Sequence, residues 1–269
     1  MDTKIAINHI LILTLIKTLV NNGVYVMSEK INTYSLENVS KVIDDGGQRS
    51  ILNNISLNIS EGEFLGLRGK SGAGKSTLLN ILGCIDNISS GKIYFEGKDI
   101  SRYTKKEKIL FIRKIGLIFQ HFYLIEHLNV FENIALPLRL CGERKAEIEK
   151  KVNLSLENVG LEPDKLRQLP KTLSGGEKQR VAIARAIVKS PKVILADEPT
   201  GSLDSENESI ILDLLQKIHS DRQGVTVILV SHNPNVIEIC SKVIELADGE
   251  IVQPFPNFAD GGIVESIQK

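Results

Sequence analysis

Cysteine is scarce and scattered: Cys84, Cys141 and Cys240 are odd in number and far apart. No CxxC or Cys/His spacing joins them, which excludes a zinc module and a disulfide framework. Three reduced, mostly buried thiols are expected instead. A surplus of charge is missing too. Lys plus Arg is 33 and Asp plus Glu is 33, so the chain lacks the basic excess of a typical polyanion binder, and no nucleic-acid partner is expected. Long apolar runs are also absent. The longest clean one, Ile10–Ile16, is far short of the roughly 20 residues a membrane-spanning helix needs. Any role at a membrane would therefore need a separate subunit to cross it. Internal repeats and low-complexity tracts are lacking as well, which excludes a repeat architecture.

What is present is ordinary globular composition. Apolar residues make up 42% and charged residues 25%, which argues against disorder, and 269 residues suffice for a domain with a sizeable core. The N-terminus differs from the rest. Ile5–Val26 is largely apolar but is interrupted by Asn8, His9, Lys17, Asn21 and Asn22, and "NNGVYVM" is a poor signal cleavage site. From Met27 onward, "SEKINTYSLENVSKV" reads like the start of a soluble domain. Residues 1–30 are thus expected to be an N-terminal extension or the product of a misassigned start. A peripheral membrane-contacting helix and a membrane anchor are the other two readings.

Strand signals cluster at Ser35–Val39, Ser50–Ile59 and Lys92–Phe95, separated by Gly, Asn and Asp turns. The grammar then changes to apolar strand, glycine turn and helix. "EFLGLRG" precedes "KSGAGKSTLLNILG", whose helix should stop at Gly83. "KVILAD" and "GVTVILVSH" are continuous apolar runs with β-branched residues, as in parallel strands buried on both faces. Between them, Ile210, Ile211, Leu214, Leu215 and Ile218 make a helical stripe over Glu206–His219, so strand, helix and strand form a parallel crossover. The region about 122–190 reads as mostly helical. In it, Glu143–Val159 places Ile148, Val152, Leu156 and Val159 on one face and pairs Glu147 with Lys151 at i, i+4. The expectation is an α/β fold: a P-loop NTPase core of mainly parallel sheet, with an N-terminal antiparallel β subdomain and an inserted helical subdomain.

"GKSGAGKST", Gly69–Thr77, matches G-x-x-x-x-G-K-[ST] between a strand and a helix. Gly72 and Gly74 let the backbone bend so that N–H groups face inward as an anion nest, and the helix from Lys75 adds its positive end. Ser71 and Thr77 complete the loop. Lys75 can reach the β- and γ-phosphates, and the Ser76 hydroxyl is a hard oxygen suited to Mg²⁺. "KVILADEPT" ends an apolar strand in Asp197 and Glu198. Strand alternation is expected to point the two carboxylates different ways, Asp197 towards Mg²⁺ and Glu198 towards the attacking water as general base. In "LSGGEKQR", Ser174 and Glu177 form an S-x-x-E capping box for a helix through Lys189, while Gly175 and Gly176 leave bare backbone at its positive end.

The order phosphate loop, Gln120, "LSGGE", "VILADEP", "GSLD" and His232, over roughly Tyr34–Val252, resembles the nucleotide-binding subunit of ATP-binding-cassette (ABC) transporters. The resemblance implies an ATPase domain at 31–253, with a short tail at 254–269. Its cofactors would be ATP and Mg²⁺, and it would pair with a second ATPase subunit, as a homodimer, and with a separate membrane permease. It would lie peripherally on the cytoplasmic face of the membrane. Gln120 then resembles the glutamine that touches Mg²⁺ and water and senses the permease. Asp204 resembles the aspartate that crosses to the other subunit, and His232 the histidine that contacts the γ-phosphate. Ser174, Gly175 and Gly176 would meet the γ-phosphate held by the Lys75 loop of the second subunit.

The family usually carries an aromatic that stacks on adenine. Here the aligned position is Ile43, and Tyr34, the only aromatic close by, lies too early. "FQHFYLIEHLNVFENIALPL" and "DEPTGSLD" resemble the branch of macrolide exporters, lipoprotein-release ATPases and peptide exporters. In that branch Phe122–Phe131 would face a permease helix through Phe122, Tyr123 and Leu124; the other reading makes these residues core of the helical subdomain. Two functions of other classes compete. A soluble ABC protein acting on DNA or ribosomes would carry a long coiled coil, zinc modules or a second cassette, none of which the sequence contains. An ATP sensor without turnover would not need Lys75, Glu198 and His232 together.

Overall fold

The computed structural model describes residues 32–44, 46–221 and 224–252. The N-terminal extension and the C-terminal tail expected from the sequence lie outside the described residues. The chain opens with two long strands, β1 (Asn32–Asp44) and β2 (Gln48–Ser60), paired antiparallel. β3 (Phe64–Arg68) leads through the phosphate loop into α1 (Lys75–Leu82). β4 (Ser90–Phe95) and β5 (Lys98–Asp99) return to β1, giving an antiparallel sheet in the order β2-β1-β4-β5. Next come α2 (Lys105–Ile112), β6 (Ile115–Phe119), α3 (Val130–Leu140) and α4 (Lys145–Asn158). Short 3-10 turns at Pro163–Arg167 and Pro170–Thr172 lead to α5 (Gly175–Ile187). The chain continues as β7 (Val193–Asp197), α6 (Ser205–Asp221), β8 (Thr226–Val230), α7 (Pro234–Glu238), β9 (Lys242–Ala247) and β10 (Glu250–Val252).

The second sheet runs β10-β9-β3-β8-β7-β6. All its pairings are parallel except β10 with β9, so the mainly parallel core is as expected. β3, β7 and β8 are buried on both faces because their side chains alternate between two apolar layers. In β7, Ile194 and Ala196 join the layer that contains α3, α4, α5 and α6. Val193 and Leu195 join the layer that contains Leu78, Leu79 and Leu82 of α1. Alternation thus assigns Asp197, the next residue in the Val193–Leu195 series, to the α1 side. α5 packs on α3 and α4 and also on β6, so one helix touches both the helical layer and the core sheet.

Several local expectations need correction. The α6 stripe keeps Ile211, Leu214, Leu215 and Ile218 but gains buried Leu212 and loses Ile210, which is exposed at the helix surface. Lys151 reaches back to Glu143 at 2.6 Å rather than pairing with Glu147. The longer lysine arm finds a carboxylate at the helix entrance that i, i+4 spacing does not consider. The α5 helix stops at Ile187, with Val188 as its cap, two residues short of Lys189. Cys84 and Cys240 are buried and Cys141 half-buried, all as free thiols. Burial pushes the Cys84 and Cys240 thiols up to about 11 and about 12, which leaves them unreactive. No helix among the described residues is long and apolar enough to cross a membrane.

Tyr34 is spent on architecture. It is fully buried, meets Phe95 edge to face with centroids 5.0 Å apart, and its hydroxyl donates to Leu82 O at 2.9 Å. That bond ties the antiparallel sheet to the carboxyl end of α1 and takes the ring away from any ligand. Ile43 is exposed. Tyr34→Phe is therefore expected to cost about 1 kcal/mol in urea unfolding, the usual worth of a buried hydrogen bond, and to leave ATP affinity unchanged in a fluorescence titration. A loss of nucleotide affinity without a loss of stability would contradict this assignment.

Candidate nucleotide site

The phosphate loop turns between β3 and α1 under close constraint. Gly69 has φ 149°, and a Cβ there would collide with the Leu246 carbonyl. Gly74, with φ 97°, is the left-handed N-cap of α1; a Cβ on it would stand 2.8 Å from Ile51 O. A glycine cap has no side chain to accept from the first turn of α1, and that turn holds no acidic residue. The positive helix end is therefore left uncompensated by side chains. Lys75 is only 8% exposed, and its Nζ donates to Gly69 O at 2.8 Å and Lys70 O at 3.0 Å. The ammonium thus lies folded over the loop. Ser71, Gly72 and Ser76 are exposed, and Thr77 is half-buried.

Asp197 ends β7 on the α1 side, close enough to Ser76 for that side chain to lower its carboxyl. Burial pushes its carboxyl up, and the neighbouring Glu198 charge adds to this; the Ser76 side chain and the Lys75 charge pull the other way. Its Oδ1 is buried with no hydrogen-bond partner. A cation would satisfy that orphaned oxygen. Asp197, the Ser76 hydroxyl and the Gln120 amide oxygen are all hard donors, which fits Mg²⁺. No cluster of three His, Cys, Asp or Glu side chains able to hold a metal occurs among the described residues, so further coordination positions would fall to phosphate and water.

Strand alternation does not govern Glu198, because the strand stops one residue before it. β7 ends at Asp197, and Glu198 turns the chain with φ 46°, rare for a non-glycine residue. Its N–H donates to Val230 O at 3.0 Å. His232, just past β8, donates from Nδ1 to Glu198 Oε1 at 3.0 Å; a carboxylate has no proton to offer, so the ring supplies it. Gln120 follows β6 and comes to the same place: a Cβ on Gly201 would lie 2.9 Å from Gln120 Nε2 and 3.2 Å from Glu198 Oε2. Ser202 Oγ, donating to Gln120 O at 3.1 Å, fixes that loop. Lys75, Ser76, Gln120, Asp197, Glu198 and His232 are thus gathered past the carboxyl ends of β3, β6, β7 and β8, where ligands bind in open α/β sheets.

The LSGGE end of α5 stands apart from this group. The capping box is formed: Glu177 N donates to Ser174 Oγ at 3.2 Å, and Ser174 N donates to Glu177 Oε2 at 2.8 Å. Lys165 adds an ion pair to Glu177 at 2.7 Å. Ser174 and Gly175 are exposed. Gly176 is buried, and a Cβ on it would collide with Asn207. Asn207 is in turn held by Asp204, whose Oδ1 accepts from Asn207 N at 2.9 Å and Nδ2 at 3.0 Å. The missing side chain at Gly176 thus also makes room for a neighbour within its own chain. Among the described residues, no hydrogen bond joins Ser174, Gly175 or Gly176 to the Lys75 group.

Sequence reading missed two residues that grip the site loops. Gln179 donates to Pro199 O at 2.6 Å. Its signal was present: a polar residue on the same helical face as Ala182, Ile183 and Ala186. Arg185, whose guanidinium is pulled below its usual range by burial, donates to Phe122 O at 2.6 Å and to Tyr123 O at 2.5 Å. Both carbonyls belong to left-handed residues, φ 60° and 45°. No local pattern foretells that turn. Of the three residues offered as permease contacts, Tyr123 is 62% exposed, Phe122 is half-buried and Leu124 packs on the core.

Compared with known families, residues 52–201 match the model described as ABC transporter. The lipoprotein-releasing system ATP-binding protein LolD of Aquifex aeolicus is 42% identical over 80% of this chain and 94% of its own length. The methionine import ATP-binding protein MetN 1 of Bacillus licheniformis is 43% identical over 81% of this chain and 66% of its own length. Among solved structures, a dimeric post-hydrolysis state of the ATP-binding cassette MJ0796 bound to ADP and Pi aligns with TM-score 0.77 and 39% identity, covering 82% of this chain and 97% of that one.

The capping box carries a pH signature. Glu177 lies below the usual carboxylate range, first through its bond to Lys165 and then through the Ser174 N–H. A carboxyl depressed by folding contributes stability that is complete above its unfolded pKa and is lost as pH falls through the folded one. Glu177→Gln should therefore lower stability at neutral pH, and the gap to the unsubstituted protein should close below about pH 4. A gap of constant size in urea unfolding at both pH values would contradict this.

Proposed function

The chain belongs to the ABC transporter family as one of its ATP-binding, ATP-hydrolysing subunits, and on that premise we propose that two copies close around two ATP molecules and drive a separate membrane permease. The observation that carries the reading is the convergence of Lys75, Asp197, Glu198 and His232 beside the uncompensated positive end of α1.

Each residue has a part that its surroundings fit. Lys75 exchanges two loop carbonyls for β- and γ-phosphate oxygens, trading neutral acceptors for anionic ones. Gly69, Ser71, Gly72, Gly74 and Thr77 wrap the phosphates with the backbone N–H groups of loop and helix. Asp197, Ser76 and Gln120 would hold Mg²⁺, which would supply charge neutralisation at the phosphates. Glu198 accepts the proton of the attacking water, and His232, donating to one carboxylate oxygen, holds that carboxylate in place. Ser174, Gly175 and Gly176 complete the site of the opposite copy, and Asp204 borders it. The dimeric ADP-bound relative supports this two-copy arrangement.

A groove of about 490 Å³ opens beside the Gln120 loop, lined by Ile109, Leu136, Pro137, Leu140, Tyr123 and Arg185 among others. Tyr123 and Leu140 are 62% and 73% exposed, large apolar surface of the kind a partner covers. We assign it to the permease, and on the family reading the subunit lies peripherally on the cytoplasmic face of the membrane. Similarity to the lipoprotein-release subunit supports outward movement of lipoprotein, peptide or drug cargo. The equal similarity to a methionine importer supports import as the second reading.

Glu198→Gln is expected to lower turnover by about 10²–10⁴ and to trap an ATP-bound dimer in size-exclusion chromatography. Near-normal hydrolysis would mean that another residue positions the water. Purified from its native host in mild detergent, the chain should bring an integral membrane protein with it, and Tyr123→Glu should lose that protein. Recovery of the unsubstituted chain alone, or with DNA, would sink the transporter reading.

A further inference from the structure

Gln179 is fully buried on the apolar face of α5. An amide in that position gives up water at both ends. Its Nε2 recovers a bond, to Pro199 O at 2.6 Å, but its Oε1 is buried without a hydrogen-bond partner. Leucine or methionine would fill the same space with no orphaned acceptor. Volume therefore does not account for glutamine here, and the bond to Pro199 does. The amide cannot be turned over either, because that would set two carbonyl oxygens against each other.

Pro199 follows Glu198, the residue with φ 46°. Proline drives the residue before it towards extended backbone, and a left-handed non-glycine residue persists only where its surroundings enforce it. Three bonds brace this turn: Glu198 N to Val230 O at 3.0 Å, Gly201 N to Glu198 O at 3.1 Å, and Gln179 Nε2 to Pro199 O. Of these, only the third comes from α5, the helix that Ser174 caps.

We propose that Gln179 is a positioning residue for ATP hydrolysis. Its amide pins the Pro199 carbonyl, and the pinned turn aims the Glu198 carboxylate at the attacking water. The proposal rests on Glu198 being the general base. It also gives α5 a second role, since the helix that offers Ser174 to the opposite copy holds the catalytic turn of its own.

The test uses the full chain with Gln179→Leu and Gln179→Met, each alone and combined with Glu198→Gln. ATP turnover is measured as kcat and KM, with single-turnover assays for the slow variants, and folding is checked by thermal unfolding. Both single variants are expected to fold and to lose on the order of 10²-fold in kcat while KM for ATP stays within about threefold, the pattern of a misaimed group rather than a lost binding contact. In the Glu198→Gln background, the Gln179 substitutions should then cost nothing further, because the group they position is gone. Unchanged kcat in a folded Gln179→Leu or Gln179→Met overturns the proposal, as does an equal loss in both backgrounds. Near-normal turnover of Glu198→Gln alone overturns the assignment of Glu198 and this proposal with it. A slow Glu198→Gln beside a fully active Gln179→Leu overturns this proposal only.

Discussion

Parallel pairing is the constraint from which the site follows. β3, β8, β7 and β6 run the same way, so the segments that leave them emerge along one edge. The phosphate loop leaves β3, Gln120 follows β6, Asp197 and Glu198 close β7, and His232 comes just after β8. Residues far apart in sequence become neighbours because every crossover returns the chain to the same side. The apolar strands that look least informative chemically are the ones that place the chemistry.

The edge also concentrates charge. Asp197 and Glu198 are adjacent carboxylates, Asp197 is held in a desolvated place, and the buried Lys75 ammonium stands near it. Burial opposes the ionised form of Asp197, and only Ser76 and Lys75 work against that. An oxygen of Asp197 left without a partner in such surroundings means that the protein chain alone does not complete its own coordination. A site of this kind gains most when a cation and an anion enter together, since each relieves the other's desolvation.

Much of this was legible in the sequence, for physical reasons that differ by element. The phosphate loop was readable because its glycines are imposed by local geometry, and the Ser174–Glu177 box because both partners lie within one helical turn. β7 and β8 were readable because burial on both faces leaves no polar interruption. α2 was not, since of its eight residues only Phe111 is buried, and so weak a stripe gives no period. β6, at the edge of the sheet, was not singled out among the strand signals. The alternation expected to separate Glu198 from Asp197 does not apply, because β7 ends at Asp197 and Glu198 sits in a left-handed turn. Gly176 has a second reason to be glycine that the sequence does not show: Asn207 occupies the space a side chain would need. The grips of Gln179 and Arg185 are long-range contacts to backbone carbonyls, which no residue pattern along the chain encodes.

Arg185 has a consequence at the surface. By donating to the carbonyls of Phe122 and Tyr123, it fixes two consecutive left-handed residues immediately beneath an exposed tyrosine ring. The backbone that carries the ring is ordered before anything touches it. A protein that docks on Tyr123 consequently meets a preformed knob rather than a loop to be arranged, and little of its contact energy is consumed in ordering that backbone. The same stiffness works in the other direction. Displacement of the ring is resisted by a guanidinium rooted in α5, so a push at the surface is delivered to a helix instead of being absorbed by the loop.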